Sequence, residues 1–345
     1  MARTSANTMS RADRIKIALF ALMVAAIPLY LVSNWVLHRL EAFFLTARAQ
    51  LFGQVLVAIL LEAFPFVLVG SIVSGLVEVL VPPERLARLI PRRLWLRLLL
   101  AAGAGVVLPV CECGIVPVAR RLMRKGLPIE MALVFMLAGP IVNPTVIAST
   151  AVAFLGQGIS LAMTVARVAC GVAVAVAVGL IAWRWFGRSD AAAAAAAPAA
   201  GAANTGGAAV LPNILTHVVH DFLLLGGYLL LGSFIAAGLQ AFVPRDLLVS
   251  VGSKPVLASA GMMLMAFLLN LCSEADAFVA AAMAQFSFAG RLAFLVFGPM
   301  LDVKLVAMYL GAFPKRMLLA VLLLVPPLCL VACELAGWLH GVLAG

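Results

Sequence analysis

Apolar runs, each near the ~20 residues that a bilayer-spanning helix needs, follow one another from Ile17 to Leu343. A backbone crossing a bilayer must satisfy its hydrogen bonds internally, so a chain of this kind folds as helices. Composition agrees: 65% of residues are hydrophobic, 11% are charged and the mean hydropathy is +1.16, outside the range of soluble globular domains. The formal charge of +10 is concentrated in a few short loops and the N-terminus. That is the positive-inside pattern, and no aromatic-interleaved basic module points to nucleic acid. The expected fold is an all-α polytopic membrane protein in contact with the lipid bilayer.

The chain then divides by internal similarity. VLVGSIVSGLVEVLVPPERL (67–86) resembles YLLLGSFIAAGLQAFVPRDLL (228–248), aligning Gly70-Ser71 with Gly232-Ser233. AGPIVNPTVI (138–147) resembles FGPMLDVKLV (297–306), pairing Asn143 with Asp302, and the same offset places Cys113 on Cys272. The organisation read from this is an N-terminal tail and first transmembrane helix (1–50), a first repeat (51–186), an Ala/Gly-rich flexible linker (187–211) and a second repeat (212–345). The helix at Ile17–Leu37 follows a basic N-terminus without a small-x-small cleavage site and reads as an uncleaved anchor.

Loop charge sets the topology. Residues 82–97 and 119–126 are both strongly basic, so both ends of Leu98–Val118 belong on the cytoplasmic side. A re-entrant hairpin with its tip at Pro109–Gly114 satisfies that condition. Each half then has three crossings and one hairpin, which inverts the second half relative to the first. The basic Pro314-Lys315-Arg316 loop and the stretch after Cys333, which lacks Lys and Arg, agree, whereas Arg245 and Lys254 would flank the second hairpin outside. The alternative is nine full crossings and parallel repeats.

Chemistry-bearing residues collect at the interruptions. LPVCECGIVP (108–117) places Glu112 between Cys111 and Cys113 inside an apolar run broken by Pro109, Gly114 and Pro117. A charge at bilayer depth costs roughly 2.5–3.5 kcal/mol on the mildest scale, so it marks a cavity, a partner or a substrate path. In the second half LLNLCSEADAFVAA (268–281) carries Cys272, Ser273, Glu274 and Asp276, and the second break carries Asp302 and Lys304. The expected substrate-binding set is Cys111, Glu112, Cys113, Asn143, Cys272 and Ser273. The expected proton-coupling set is Glu274, Asp276, Asp302 and Lys304. Thiolates suit soft metals and metalloids, so Cys111, Cys113 and Cys272 form a candidate soft-ion set. Thiolate binding displaces protons, which ties such chemistry to pH. Cys170, Cys329 and Cys333 read as packing residues, Arg167 as snorkelling to the external interface, and the cations of 119–126 as topology determinants.

At these residues the chain also resembles a known family. PVCECGIVPVARRLMRKG (109–126), GPIVNPTVIAS (139–149) and CSEADAFVA (272–280) are similar to the signature blocks of the ArsP-like (YraQ-like) predicted permeases. The resemblance implies a multi-pass inner-membrane permease with its N-terminus in the cytoplasm, and its best-known members export trivalent organoarsenicals. It maps the family's two cysteine blocks onto Cys111 and Cys113 and onto Cys272, Ser273, Glu274 and Asp276. The function expected is proton-coupled export of a thiophilic small molecule or metalloid, without a cofactor and without an ATPase of its own, since GxxxxGK[ST] is absent. A membrane thiol oxidoreductase and a soft-metal-binding scaffold or assembly factor are the alternatives; oligomeric state is open.

Overall fold

Proline and glycine cut the apolar runs into pieces of two lengths, and the short pieces build the centre. The computed structural model describes residues 47–107, 110–195, 210–242 and 255–344. The expected anchor helix at Ile17–Leu37, Pro109, Arg245, Lys254 and residues 196–209 of the expected linker lie outside these residues.

Thirteen α-helices and no strand occur among the described residues. In chain order they are α1 (Ala47–Leu80), α2 (Pro83–Leu89), α3 (Leu94–Val107), α4 (Glu112–Arg124), α5 (Ile129–Val142), α6 (Pro144–Ala153), α7 (Ser160–Ala195), α8 (Val210–Phe242), α9 (Pro255–Leu269), α10 (Ala275–Ala282), α11 (Phe288–Phe297), α12 (Val303–Ala312) and α13 (Lys315–Ala344). The segment 187–211, expected as a linker, is helical at both ends, since α7 runs on to Ala195 and α8 begins at Val210.

Among the described residues, four helices are long and apolar enough to cross a bilayer: Ala49–Leu80, Ser160–Phe186, Ile214–Ala241 and Lys315–Leu343. α5 and α6 together reach the same length and hydropathy, bent by 41° at the break between them. The cause is local, because Pro144 has no N–H to continue the ladder and disfavours helical backbone at Asn143. Further on, two ten-residue helices, α11 and α12, are separated by residues 298–302. The described residues are thus all-helical, as a multi-pass membrane protein requires.

Contacts fix how the short helices lie. Arg97 at the start of α3 sits 3.6 Å from Glu130 at the start of α5. Near their other ends, Gly105 lies so close to Gly139 that a Cβ would come within 2.8 Å of Val142 Cγ2. α3 and α5 therefore run side by side in the same direction, and α4 returns toward the end where α3 began. In the second half, Gly290 near the start of α11 faces Met262 of α9, and Gly298 just past its end faces Ala266. α9 and α11 run side by side in the same way. Gln157, beyond α6, donates to the Ala281 carbonyl at 2.7 Å, and Arg291 donates to Gln157 Oε1 at 2.7 Å. The far end of the α5–α6 span thus meets the end of α10 and the start of α11.

The two long helices α1 and α8 pack against each other and against α4 and α12. The α1–α4 seam is close enough that a Cβ at Gly70 would fall 2.8 Å from the Gly114 carbonyl carbon. Below this seam a buried set of charges ties the elements together. Arg121 Nη2 meets Asp221 Oδ2 at 2.7 Å, Ser74 Oγ donates to the same oxygen at 2.8 Å, and Arg121 Nη1 lies 3.5 Å from Glu78. Lys125 Nζ donates to the Glu78 and Val81 carbonyls at 2.5 and 2.7 Å. The cations of 119–126 were expected to set topology. Arg121 and Lys125 also hold α1, α4 and α8 together, because they turn inward onto Glu78 and Asp221, and Arg120 lies 3.9 Å from Asp221.

Breaking a buried ion pair by removing one partner costs about 3–5 kcal/mol. Asp221→Asn is accordingly expected to lower the thermal-unfolding midpoint of the purified protein well beyond Ser74→Ala, which removes one hydrogen bond worth about 1 kcal/mol.

Candidate functional site

Four short helices begin at the interruptions, and their N-termini meet. α4 starts at Glu112, α6 at Pro144, α10 at Ala275 and α12 at Val303. Each N-terminus leaves N–H groups unpaired and carries roughly half a positive charge. Side-chain caps answer two of them: Asn143 Oδ1 accepts from Thr145 N–H at 3.1 Å, and Asp302 Oδ1 accepts from Leu305 N–H at 2.6 Å. These are the two residues paired by the internal alignment, and each caps the helix that restarts after a break. Glu112 and Asp276 lie in the first turns of α4 and α10, where the dipole favours an acid.

One connected network runs through these caps and joins both halves of the chain. Lys304 Nζ lies 3.2 Å from Glu112 Oε1 and 3.3 Å from Asp302 Oδ2, and donates to the Asn270 carbonyl at 3.1 Å. Ser273 Oγ donates to Glu112 Oε2 at 2.9 Å. Asn143 Nδ2 reaches the Val110 carbonyl at 3.4 Å. Thr145 Oγ1 stands between Asn143 Oδ1 at 2.9 Å and Glu274 Oε1 at 3.0 Å. The Cys272 thiol donates to Glu274 Oε2. Glu112, Asp302 and Lys304 are at most 2% exposed. Such charges persist at this depth only when paired, and here each has its partner.

Asn270 closes the end of α9 and holds the network in register. Its φ of 51° is the left-handed conformation that asparagine tolerates better than most residues. In this conformation Oδ1 accepts from the Lys304 backbone N–H at 3.0 Å while Nδ2 donates to the Leu268 carbonyl at 2.8 Å.

Two members of the site were not among the residues expected from the sequence. Arg167 does not snorkel to an interface: it is 1% exposed and donates to Thr150 Oγ1 at 2.7 Å and to the Ser273 carbonyl at 2.9 Å. Its acidic neighbours are Asp276, Glu274 and Glu112. α7 packs on both α5 and α6, which turns position 167 toward the network. Glu62, half-buried in the middle of α1, faces Lys304, Cys272, Glu112 and Glu274. The signal for both was a single charge inside a long apolar run.

Cys111, Cys113 and Cys272 are all buried, and the Cys272 thiol is turned to Glu274. Among the described residues, no three His, Cys, Asp or Glu side chains stand in an arrangement that holds a metal ion. Cys170, Cys329 and Cys333 lie apart from the network, at the contact of α7 with α13. Cys329 and Cys333 are 3.9 Å apart, and Cys170 Sγ donates to the Ala332 carbonyl at 3.6 Å.

Comparison with known proteins gives a consistent picture. The ArsP_1 family model, described as a predicted permease, matches residues 49–339. The UPF0718 protein YcgR of Bacillus subtilis is 39% identical over 265 residues, covering 76% of this chain and 89% of that protein. A protein of Streptococcus mutans named a putative two-component membrane permease complex subunit is 35% identical over 267 residues, covering 77% of this chain and 88% of its own length. No solved structure matches.

Replacing Lys304 by Met leaves Glu112 and Asp302 buried without their cation. The expected loss is about 3–5 kcal/mol, read as a fall in the thermal-unfolding midpoint, with Lys304→Arg losing less.

Proposed function

Because the chain belongs to the ArsP_1 family of predicted permeases, we propose that it is a proton-coupled exporter of a small thiophilic solute, of which a trivalent organoarsenical is the leading example. The observation that carries this reading is the buried network in which Glu112, Lys304, Asp302, Cys272 and Glu274 meet at four helix N-termini. Discontinuous helices whose ends converge are how repeat-built transporters hold a solute in mid-membrane. Cys111, Cys113 and Cys272 supply soft ligands, Ser273 and Asn143 orient, and Glu112 balances Lys304. Glu274, Asp276, Asp302 and Lys304 exchange protons as the cargo comes and goes.

In this reading the halves are inverted repeats, each with a re-entrant hairpin. The Arg97–Glu130 contact supports entry of α3 and α4 from one membrane face. The Gln157–Ala281 and Arg291–Gln157 contacts, at the other end of the α5–α6 span, support entry of α9 and α10 from the opposite face. The basic loops support a cytoplasmic position for the first face, and with it the inner membrane as the protein's location. The name of the Streptococcus relative motivates a second subunit as partner.

Everted membrane vesicles with an imposed pH gradient test the proposal directly. Accumulation of methylarsenite above that of arsenite or zinc is expected for the wild type and is expected to vanish in Cys113→Ser at equal membrane expression. Unaltered accumulation in that variant would remove the thiols from the path. Glu274→Gln and Asp276→Asn are expected to flatten the dependence of flux on pH, and an unchanged profile would assign the coupling proton elsewhere.

A further inference from the structure

The long helices treat the two halves unequally. α8 lies along α12: a Cβ on Gly232 would fall 2.7 Å from Lys304 Cα and 3.0 Å from Ala307 Cβ, and Gly311 packs against the Tyr228 ring. In the internal alignment Gly232 answers to Gly70 and Tyr228 to Phe66, while Lys304, Ala307 and Gly311 answer to Thr145, Ala148 and Val152 of α6. The matching contact is not made: among the described residues α1 does not pack along α6, nor α8 along α10. Lys304 and Ala307 are at most 5% exposed, whereas Thr145 and Ala148 are exposed and Val152 is 56% exposed. Gly70 sits instead on Gly114 of α4. One face is occupied and its counterpart stands vacant.

The crossing of α1 with α8 obeys the same exchange. Ser74 of α1 meets Asp221 of α8, and the aligned positions Ala236 of α8 and Ile59 of α1 meet in a small apolar cluster. The two long helices therefore form one body with a two-fold character of its own. The seams this body makes with the short helices are smooth. At Gly70 and Gly232 the backbones come close without side chains between them, and the adjoining Ser71 and Ser233 are fully buried with hydroxyls that have no hydrogen-bond partner. Small residues let packed helices slide without unlocking side chains. Only one side carries a latch: Ser74, Glu78, Arg121 and Asp221 align with Ala236, Gln240, Ala280 and Ile59, none of them charged.

We infer that the Thr145–Ala148–Val152 face of α6 is a second seat for α1, and that the α1–α8 body rocks between two docked states. In the state seen, Gly70 sits on Gly114 and Gly232 on Lys304 and Ala307. In the other, Gly70 sits on Thr145 and Ala148, and Gly232 on Ser273, the residue aligned with Gly114. This rests on the permease reading above, with its inverted repeats, and adds the movement by which the central site changes the face it opens to. With α4 and α12 on the cytoplasmic side, the state seen is closed there and open on the opposite side past Thr145 and Glu274. The Arg121–Asp221–Ser74 latch holds that state. The other has no charges in the equivalent places, so it is the less populated of the two.

Paired cysteines in native membranes read the two states without any transport. Tyr228→Cys with Gly311→Cys marks the seat in use, and Phe66→Cys with Val152→Cys marks the second. Each pair is oxidised with copper phenanthroline, and the linked peptides are quantified by mass spectrometry. The first pair is expected to link readily and the second slowly, with the second gaining about fivefold or more in Asp221→Asn, which opens the latch. Ala148→Trp gives an independent reading from a position that is exposed in the state seen. It is expected to suppress the Phe66–Val152 link and to halt flux, while the Tyr228–Gly311 link and the thermal-unfolding midpoint stay unchanged. Absence of the Phe66–Val152 link in every background, an Ala148→Trp variant that behaves as wild type, or capture of residues 17–37 by a photoreactive group at Val152 would overturn the inference. Flux assayed separately distinguishes the failures: the second link without flux keeps the rocking body and removes the transporter, and flux without the second link does the reverse.

Discussion

A backbone interrupted at bilayer depth must find partners for its freed groups inside the protein, and the rest of this structure follows from that demand. The breaks at 110–111, 143, 270–274 and 298–302 expose helix ends where no water is assured. Asn143 and Asp302 answer with side-chain caps, Asn270 with a left-handed turn and bonds from both ends of its amide, and Lys304 with its ammonium on the Asn270 carbonyl. Once the caps are polar, their charges need counter-charges, and Glu112, Ser273 and Arg167 complete the set. The polar centre is therefore the solution to a backbone problem.

The same demand explains why the network is both rigid and chemically rich. Lys304 is held by two acids and a carbonyl, so moving it disturbs helices from both halves at once. The thiol of Cys272, by contrast, is tied to the half-buried Glu274 at the margin.

Much of this was legible in the sequence because bilayer depth makes each polar residue conspicuous. Cys111, Glu112, Cys113, Asn143, Ser273, Glu274, Asp276, Asp302 and Lys304 were singled out by charge or thiol placement near helix breakers, and the fold brings most of them into one network. Which partner each would take was not legible: the pairing of Lys304 with Glu112 depends on how α4 meets α12, and no local pattern encodes that. Arg167 was misplaced because its helix lacks a breaker and periodicity alone did not say which face α5 and α6 would cover. Glu62 was passed over as a single acid in a long apolar span, although Pro65 breaks the ladder three residues on. The inward turn of Arg121 and Lys125 was hidden by the basic character of their whole stretch, which topology alone accounts for.

The contacts joining the two halves are side-chain contacts across packed helices: Arg121 and Ser74 on Asp221, Ser273 on Glu112, Lys304 on Glu112, Arg167 on the Ser273 carbonyl. Recognition between the halves is written in buried charge. Two polypeptides, each carrying one half, hold in their facing surfaces the information needed to find each other in the bilayer.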